Sequence, residues 1–202
     1  MPKRRIGARP SRRRNRHRRE LPLVVVVCDD SQAAGRYFKA LQAEVKNSAS
    51  VRVFPFPNES PEQMCQLARS KAGNQKEDSA WVLIDREARP ETQQRADEAK
   101  RRLDRKKCRV LLSNPCFEVW TLAHLEDTGK HFDDCNAVLA RLKQRWQQRF
   151  GEEFQKAKAD YDKLMDFRAE AVVRAKRHCG HNQRTDCSWT EVYRVVEAVA
   201  VS

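Results

Sequence analysis

The first apolar segment of the chain, Val24 to Cys28, is a continuous run built on valine. A run without polar alternation suits a strand buried on both faces, as in a parallel sheet. Asp29, Asp30 and Ser31 follow with turn and N-cap chemistry. Phe38, Leu41 and Val45 then recur at helical spacing, to about Lys46. Val51 to Phe56 reads as a second strand. Ser60-Pro61-Glu62-Gln63 reads as a capping box with proline at the first helical position, opening a helix to about Ala72. Trp81 to Ile84 gives a third strand ending at Asp85, residues 92–106 a charged surface helix, and Arg109 to Leu112 a fourth short strand.

This alternation predicts an α/β fold, a parallel sheet of about four strands flanked by helices with right-handed crossovers. After Ser113-Asn114-Pro115 the pattern turns helical, near 116–125, 134–149 and 152–178, with Asn114 expected to cap and Pro115 to open the first of these helices. Ser188-Trp189-Thr190-Glu191 reads as a second capping box, starting a last helix to about Val199. The helical half therefore covers about 116–202, and residues 21–202 suit a single domain with a sizeable core.

Charge changes the picture at the N-terminus. The net charge of +13 is concentrated in residues 1–20, which hold ten Lys/Arg and one Glu. No apolar periodicity accompanies them, so the segment reads as a disordered basic arm. Arg4, Arg5, Arg12, Arg13, Arg14, Arg16, Arg18 and Arg19 are candidates to neutralise phosphates of a nucleic acid without reading its sequence. The alternative is a solubilising tail. The longest apolar run, Leu21 to Cys28, is too short to cross a membrane, and no secretory pattern follows the basic start. Seven scattered cysteines, none in a CxxC pair, suit a reduced cytoplasmic protein better than a disulfide framework.

Candidate chemistry lies where strands end, since open parallel sheets bind ligands beyond their carboxyl edge. Asp29 and Asp30 follow the first strand; Asp85 and Glu87 follow the third. Such a set of hard oxygen donors suits Mg²⁺ or Mn²⁺, although acidic residues also follow strands simply as turn formers. His178-Cys179-x-His181, with Cys187 beyond, offers zinc-type ligands, but the spacing matches no finger pattern, and a loop with incidental thiols is the expectation. Cys116 is expected to pack rather than react. No GxxxxGK[ST] loop is present, so the chain is not expected to hydrolyse ATP itself.

Ile84-Asp85-Arg86-Glu87, together with the run Ser113-Asn114-Pro115-Cys116-Phe117-Glu118-Val119-Trp120-Thr121-Leu122-Ala123-His124, resembles the RloB-like family, Toprim-fold proteins linked to abortive phage resistance of the AbiLii type. Tyr37 and Phe38 resemble a motif after the family's opening strand, and Trp189 to Tyr193 its closing segment, so the likeness spans about 23–200. The resemblance implies a Toprim nuclease-type site, and for some members an ATPase partner. Asp29 stands where the family's Glu is expected, Asp85 matches the first Asp of a later pair, and Glu87 stands at the second. Asn114, Glu118, Trp120 and His124 match the downstream signature, with Glu118 a further candidate catalytic residue. Asp29 is one methylene shorter than Glu, which sets its carboxylate about 1–1.5 Å further back. Asp30 replaces a Gly, and Ala33 and Ala34 replace Thr-Glu.

Three readings follow. The first is a metal-dependent nuclease acting on DNA or RNA. The second is a catalytically weakened subunit serving as a scaffold for a partner. The third is a nucleic-acid-binding protein whose only functional element is the arm. Substrate, partner and oligomeric state stay open.

Overall fold

The computed structural model describes residues 21–30, 32–178 and 187–200. The basic arm and most of the Cys/His-rich loop lie outside the described residues. Three βα repeats and a fourth strand open the fold: β1 (Leu23–Cys28), α1 (Ala33–Val45), β2 (Ser50–Pro55), α2 (Pro61–Lys71), β3 (Ser79–Asp85), α3 (Pro90–Leu103) and β4 (Arg109–Asn114). The second half adds α4 (Glu118–Ala123), α5 (Cys135–Phe150), a 3-10 segment (Tyr161–Phe167), α6 (Arg168–His178), β5 (Trp189–Thr190) and α7 (Tyr193–Ala200). The strands form one sheet in the order β2-β1-β3-β4-β5, parallel throughout except for β5. Among the described residues no helix is long and apolar enough to cross a membrane.

The valine run occupies the centre of this sheet because both its faces are covered. Val24 to Cys28 are each at most 1% exposed. Val24, Val26 and Cys28 face α1 and the helical half, while Val25 and Val27 face α2 and α3. Fully burying one such valine contributes about 1.5–3 kcal/mol. The capping box at α2 forms as the sequence predicts: Ser60 Oγ accepts from the Gln63 amide, and Gln63 Oε1 from the Ser60 amide. Asp134 caps α5 by accepting from the Ala137 amide at 2.8 Å, and Gly151 ends that helix in the left-handed region at φ 72°.

Four expectations for the second half need correction. Asn114 does not cap a helix and Pro115 does not open one. Asn114 ends β4, the bond to Pro115 is cis, and α4 begins only at Glu118. The Asn114 side chain instead donates to the Cys187 carbonyl at 3.0 Å. The span 152–178 is not one helix: residues 152–160 are irregular, and the 3-10 segment and α6 follow. The cysteines are not all free thiols, for Cys116 and Cys135 form a disulfide.

The fourth correction concerns Ser188-Trp189-Thr190-Glu191, which makes no capping box. Trp189 and Thr190 add an antiparallel strand to β4, and the helix starts at Tyr193. Ser188, Thr190 and Glu191 each have a better partner elsewhere. The Ser188 hydroxyl accepts from the Phe132 amide, and Thr190 exchanges a 2.8 Å hydrogen bond with Ser113. Glu191, 5% exposed, accepts from the Leu112 amide at 3.0 Å and pairs with Lys100, whose ammonium also donates to the Val110 carbonyl. β5 pairs only with Ser113 and Asn114, so the Leu112 amide of β4 is left to draw the carboxylate away from local capping.

Removing Glu191 strands the Lys100 ammonium and the Leu112 amide. Glu191→Ala is expected to destabilise the fold by about 3 kcal/mol, read as a lower urea midpoint at unchanged slope; a loss within 0.5 kcal/mol, as at ordinary surface sites, would show the pair to be dispensable.

Candidate metal site at the carboxyl edge of the sheet

Chain order and sheet order together fix where a ligand can sit. From β1 the chain moves to β2 on one side; from β3 it moves to β4 on the other. The carboxyl ends of the adjacent strands β1 and β3 are thus a topological switch point, where crevices open in such sheets. Asp29 and Asp30 leave β1 at this point, Asp85 ends β3, and Glu118 starts α4 just beyond the end of β4. The topology brings three of the four candidate catalytic residues, Asp29, Asp85 and Glu118, to one edge.

Local structure holds each of them. Asp30 Oδ1 accepts from the amides of Gln32 and Ala33, which pins the turn into α1. After Asp85 the chain is laced to the end of β4. The Arg86 amide donates to the Ser113 carbonyl at 2.9 Å and the Glu87 amide to the Pro115 carbonyl at 2.8 Å. The Arg86 guanidinium, 6% exposed, grips Asp97 with two hydrogen bonds and lies over the Trp189 ring. Glu87 stands in the left-handed region at φ 56°. An L-residue there carries strain of order 1 kcal/mol, held here by the lacing on both sides. Its side chain is exposed at the rim.

The electrostatics are those of crowded like charges. Burial pushes the Asp85 carboxyl well above the usual range, and Asp29 and Glu118 push it further; the Phe117 amide and Lys156 act against them. Asp29 is open to solvent on one side and densely surrounded on the others. Desolvation raises its carboxyl, followed by Asp30 and Glu87. Asp85 and Asp29 are therefore harder to ionise, through burial first and then through their acidic neighbours.

Among the described residues a cation answers them. Lys156, from the irregular stretch after α5, sets its ammonium against Glu118 Oε1 and 3.5 Å from Asp30 Oδ2. Burial works against the charged amine, but Glu118, then Asp30 and Asp85, hold its pKa above the ordinary value. Glu118 is 1% exposed, and its Oε1 meets the ammonium without the alignment of a hydrogen bond. Its Oε2 lies 3.2 Å from Cys135 Sγ. With that sulfur in the disulfide this is a contact only; a free thiol there would donate to the carboxylate.

The donor set fits a hard divalent ion in kind, since every group is a carboxylate. The described groups do not draw three carboxylate oxygens within 4.8 Å of one another. At that distance the grouped ligand atoms are those of Cys116, Glu118 and Cys135. Asp29, Asp85 and Glu87 can therefore offer one or two direct oxygens to an ion that keeps several waters, which is the usual habit of Mg²⁺.

The remaining signature residues pack rather than react. His124 and Trp120 are 1% and 0% exposed and meet edge-to-face at 4.8 Å, with Tyr37 at 5.4 and 5.8 Å from them and Phe117 and Phe38 close by. His124 Nδ1 bonds to the Trp120 carbonyl at 2.9 Å. These rings clamp α4 onto α1 and so place Glu118. Of the zinc-type ligands, His178 is turned to Asp127, Cys187 is half-buried with its carbonyl accepting from Asn114, and Cys179 and His181 lie outside the described residues. Sequence reasoning missed Lys156 and Tyr161, because nothing in residues 152–163 sets this lysine apart from Lys158 or Lys163.

The profile of RloB-like proteins matches residues 24–199. The chain belongs to the RloB-like family. No match was found among curated proteins or among solved structures. The family profile thus covers the whole sheet, the acidic edge and the helical half.

Burial lowers the His124 pKa from 6.5 to about 4, so the folded protein keeps this ring neutral where the unfolded chain takes up a proton. Stability from this group is complete above about pH 6.5 and is lost as pH falls towards 4. The gap corresponds to roughly 3 kcal/mol. Urea unfolding of wild type and His124→Gln is expected to show a steeper acid-side loss in wild type; parallel curves would contradict it.

Proposed function

We propose that this RloB-like chain is a metal-dependent, Toprim-type nuclease acting on DNA or RNA in anti-phage defence alongside an ATPase partner. The observation that carries the reading is the placement of Asp29, Asp85 and Glu118 at the carboxyl edge around the switch point, with Glu87 at its rim. Carboxylates that repel one another at a ligand-binding edge are costly for stability and suited to binding a cation. The Toprim fold, the defence role and the partner come from the family resemblance.

A bound Mg²⁺ or Mn²⁺ would neutralise charge at the scissile phosphate and lower the pKa of an attacking water. Asp85 and Glu87 are the residues to hold it, with Asp29 as a ligand or as the base that takes the water's proton. The water oxygen bonds to phosphorus as the bond to the leaving oxygen breaks, and that oxygen takes up a proton from solvent. The Phe117 amide and Lys156 favour the charged form of Asp85, the form that would bind an ion. The arginines of the basic arm would hold the polynucleotide backbone, with affinity falling steeply as salt rises.

One observation favours a second reading, a weakened RloB-like subunit that binds a partner without cutting. Three carboxylate oxygens do not converge, and Lys156 already sits against Glu118. Cleavage separates the two readings. Plasmid, single-stranded DNA and total tRNA are incubated with Mg²⁺ or Mn²⁺, with and without a candidate ATPase. Metal-dependent cleavage that falls at least about 100-fold in Asp85→Asn, as removal of a key electrostatic group does, is the expected result. Undiminished cleavage in that variant overturns the assignment, and no cleavage under any condition supports the scaffold reading.

A further inference from the structure

A half-buried lysine set among carboxylates is itself a bound cation, and its place is as specific as that of a metal ion. Lys156 stands between Phe154 and Ala159, which are 1% and 8% exposed, with Tyr161 close behind at 3%. Phe154 packs on Trp146 at 5.1 Å between ring centres. The amides of Lys158 and Ala159 both return to the Gln155 carbonyl, at 2.9 and 2.7 Å, which closes a tight turn around the lysine. The stem of Lys156 is thus aimed from anchored backbone at the gap between Glu118 and Asp30.

Glu118 Oε1 has the Lys156 ammonium as its ion-pair partner, while the buried Tyr161 hydroxyl beside it has no hydrogen-bond partner. Tyr161 lies in the field of both Glu118 and Asp30. A buried polar atom left without a partner is uncommon and calls for a ligand. Here it lies on the Glu118 side of the edge, which the ammonium already neutralises. Two-ion phosphodiesterase sites hold their ions about 3.5–4 Å apart. An ion placed between Glu118 and Asp30 would have to eject Lys156 and then sit against its charge.

We propose that Lys156 is the built-in second cation of this site, so that the chain takes one divalent ion, on the Asp29–Asp85–Glu87 side, where its carboxylates alone would take two. This rests on the metal reading above. In that arrangement Lys156 positions Glu118 and supplies a fixed positive charge that needs no ion from solution.

The test is Mn²⁺ titration of the full chain followed by electron paramagnetic resonance, which counts bound ions without any cleavage assay. Wild type is expected to bind one Mn²⁺ per chain, Lys156→Arg one, and Lys156→Met two, with Asp85→Asn losing the first ion. Lys156→Met keeps the aliphatic stem, and a thermal melt checks its fold. Two ions in wild type overturn the proposal without recourse to any variant. One ion in both wild type and a folded Lys156→Met, at equal affinity, overturns it while leaving the metal reading intact. No Mn²⁺ bound to wild type or to either variant overturns the metal reading, and the proposal with it.

Discussion

Repulsion among carboxylates at the carboxyl ends of β1 and β3 is the constraint on which the rest of this structure depends. Asp85 cannot move away, because it ends a strand paired in register on both sides, with Ser113 opposite it on β4. Glu118 cannot reach solvent, because the Tyr37–Phe117–Trp120–His124 rings press α4 into the core. Asp29 is fixed by the turn that Asp30 ties into α1. Like charges so held are tolerated only with a cation nearby, and the fold supplies one in Lys156. A protein with no use for the site could remove the conflict by replacing a single carboxylate.

The family's signature reads differently once its residues are placed. Asn114, Trp120 and His124 do not face the acidic edge as reagents. Asn114 joins the end of β4 to Arg86 and to the Cys187 carbonyl, and so ties the loop after β3 to the loop before β5. Trp120 and His124 pack, and what they orient is Glu118. The Cys116–Cys135 disulfide acts in the same sense, joining the chain two residues before Glu118 to the first turn of α5. Most of the signature is thus the mounting for one buried carboxylate.

The α/β half was legible in the sequence because its signals are local. The valine run of β1 has no polar interruption, and the Ser60–Gln63 box closes within one turn. The second half was less legible because distant partners decide its local structure. Ser188-Trp189-Thr190-Glu191 has the letters of a capping box, yet the unpaired Leu112 amide and Lys100 capture Glu191 from far along the chain. Residues 152–160 carry enough helix formers to predict a helix, but Phe154 and Tyr161 are drawn against Trp146, and the chain between them is irregular. Asp29, Asp85 and Glu118 could be named from where strands end and from the resemblance. Lys156 could not, since only the folded path of that irregular stretch brings it to the edge.

In the proposed metal site a divalent ion relieves the charge conflict at the edge, and thermal melting at neutral pH reads both the conflict and its relief. The sign is set by the raised Asp85 carboxyl: ionising it costs the folded state more than the unfolded chain, so stability falls as pH rises through its folded value. Asp85→Asn keeps the size of the side chain and removes the charge. Without metal the variant should melt above wild type; with increasing Mn²⁺ wild type should rise by mass action while the variant stays level. A variant that melts lower in the absence of metal, or that gains as much from Mn²⁺ as wild type does, would contradict the account.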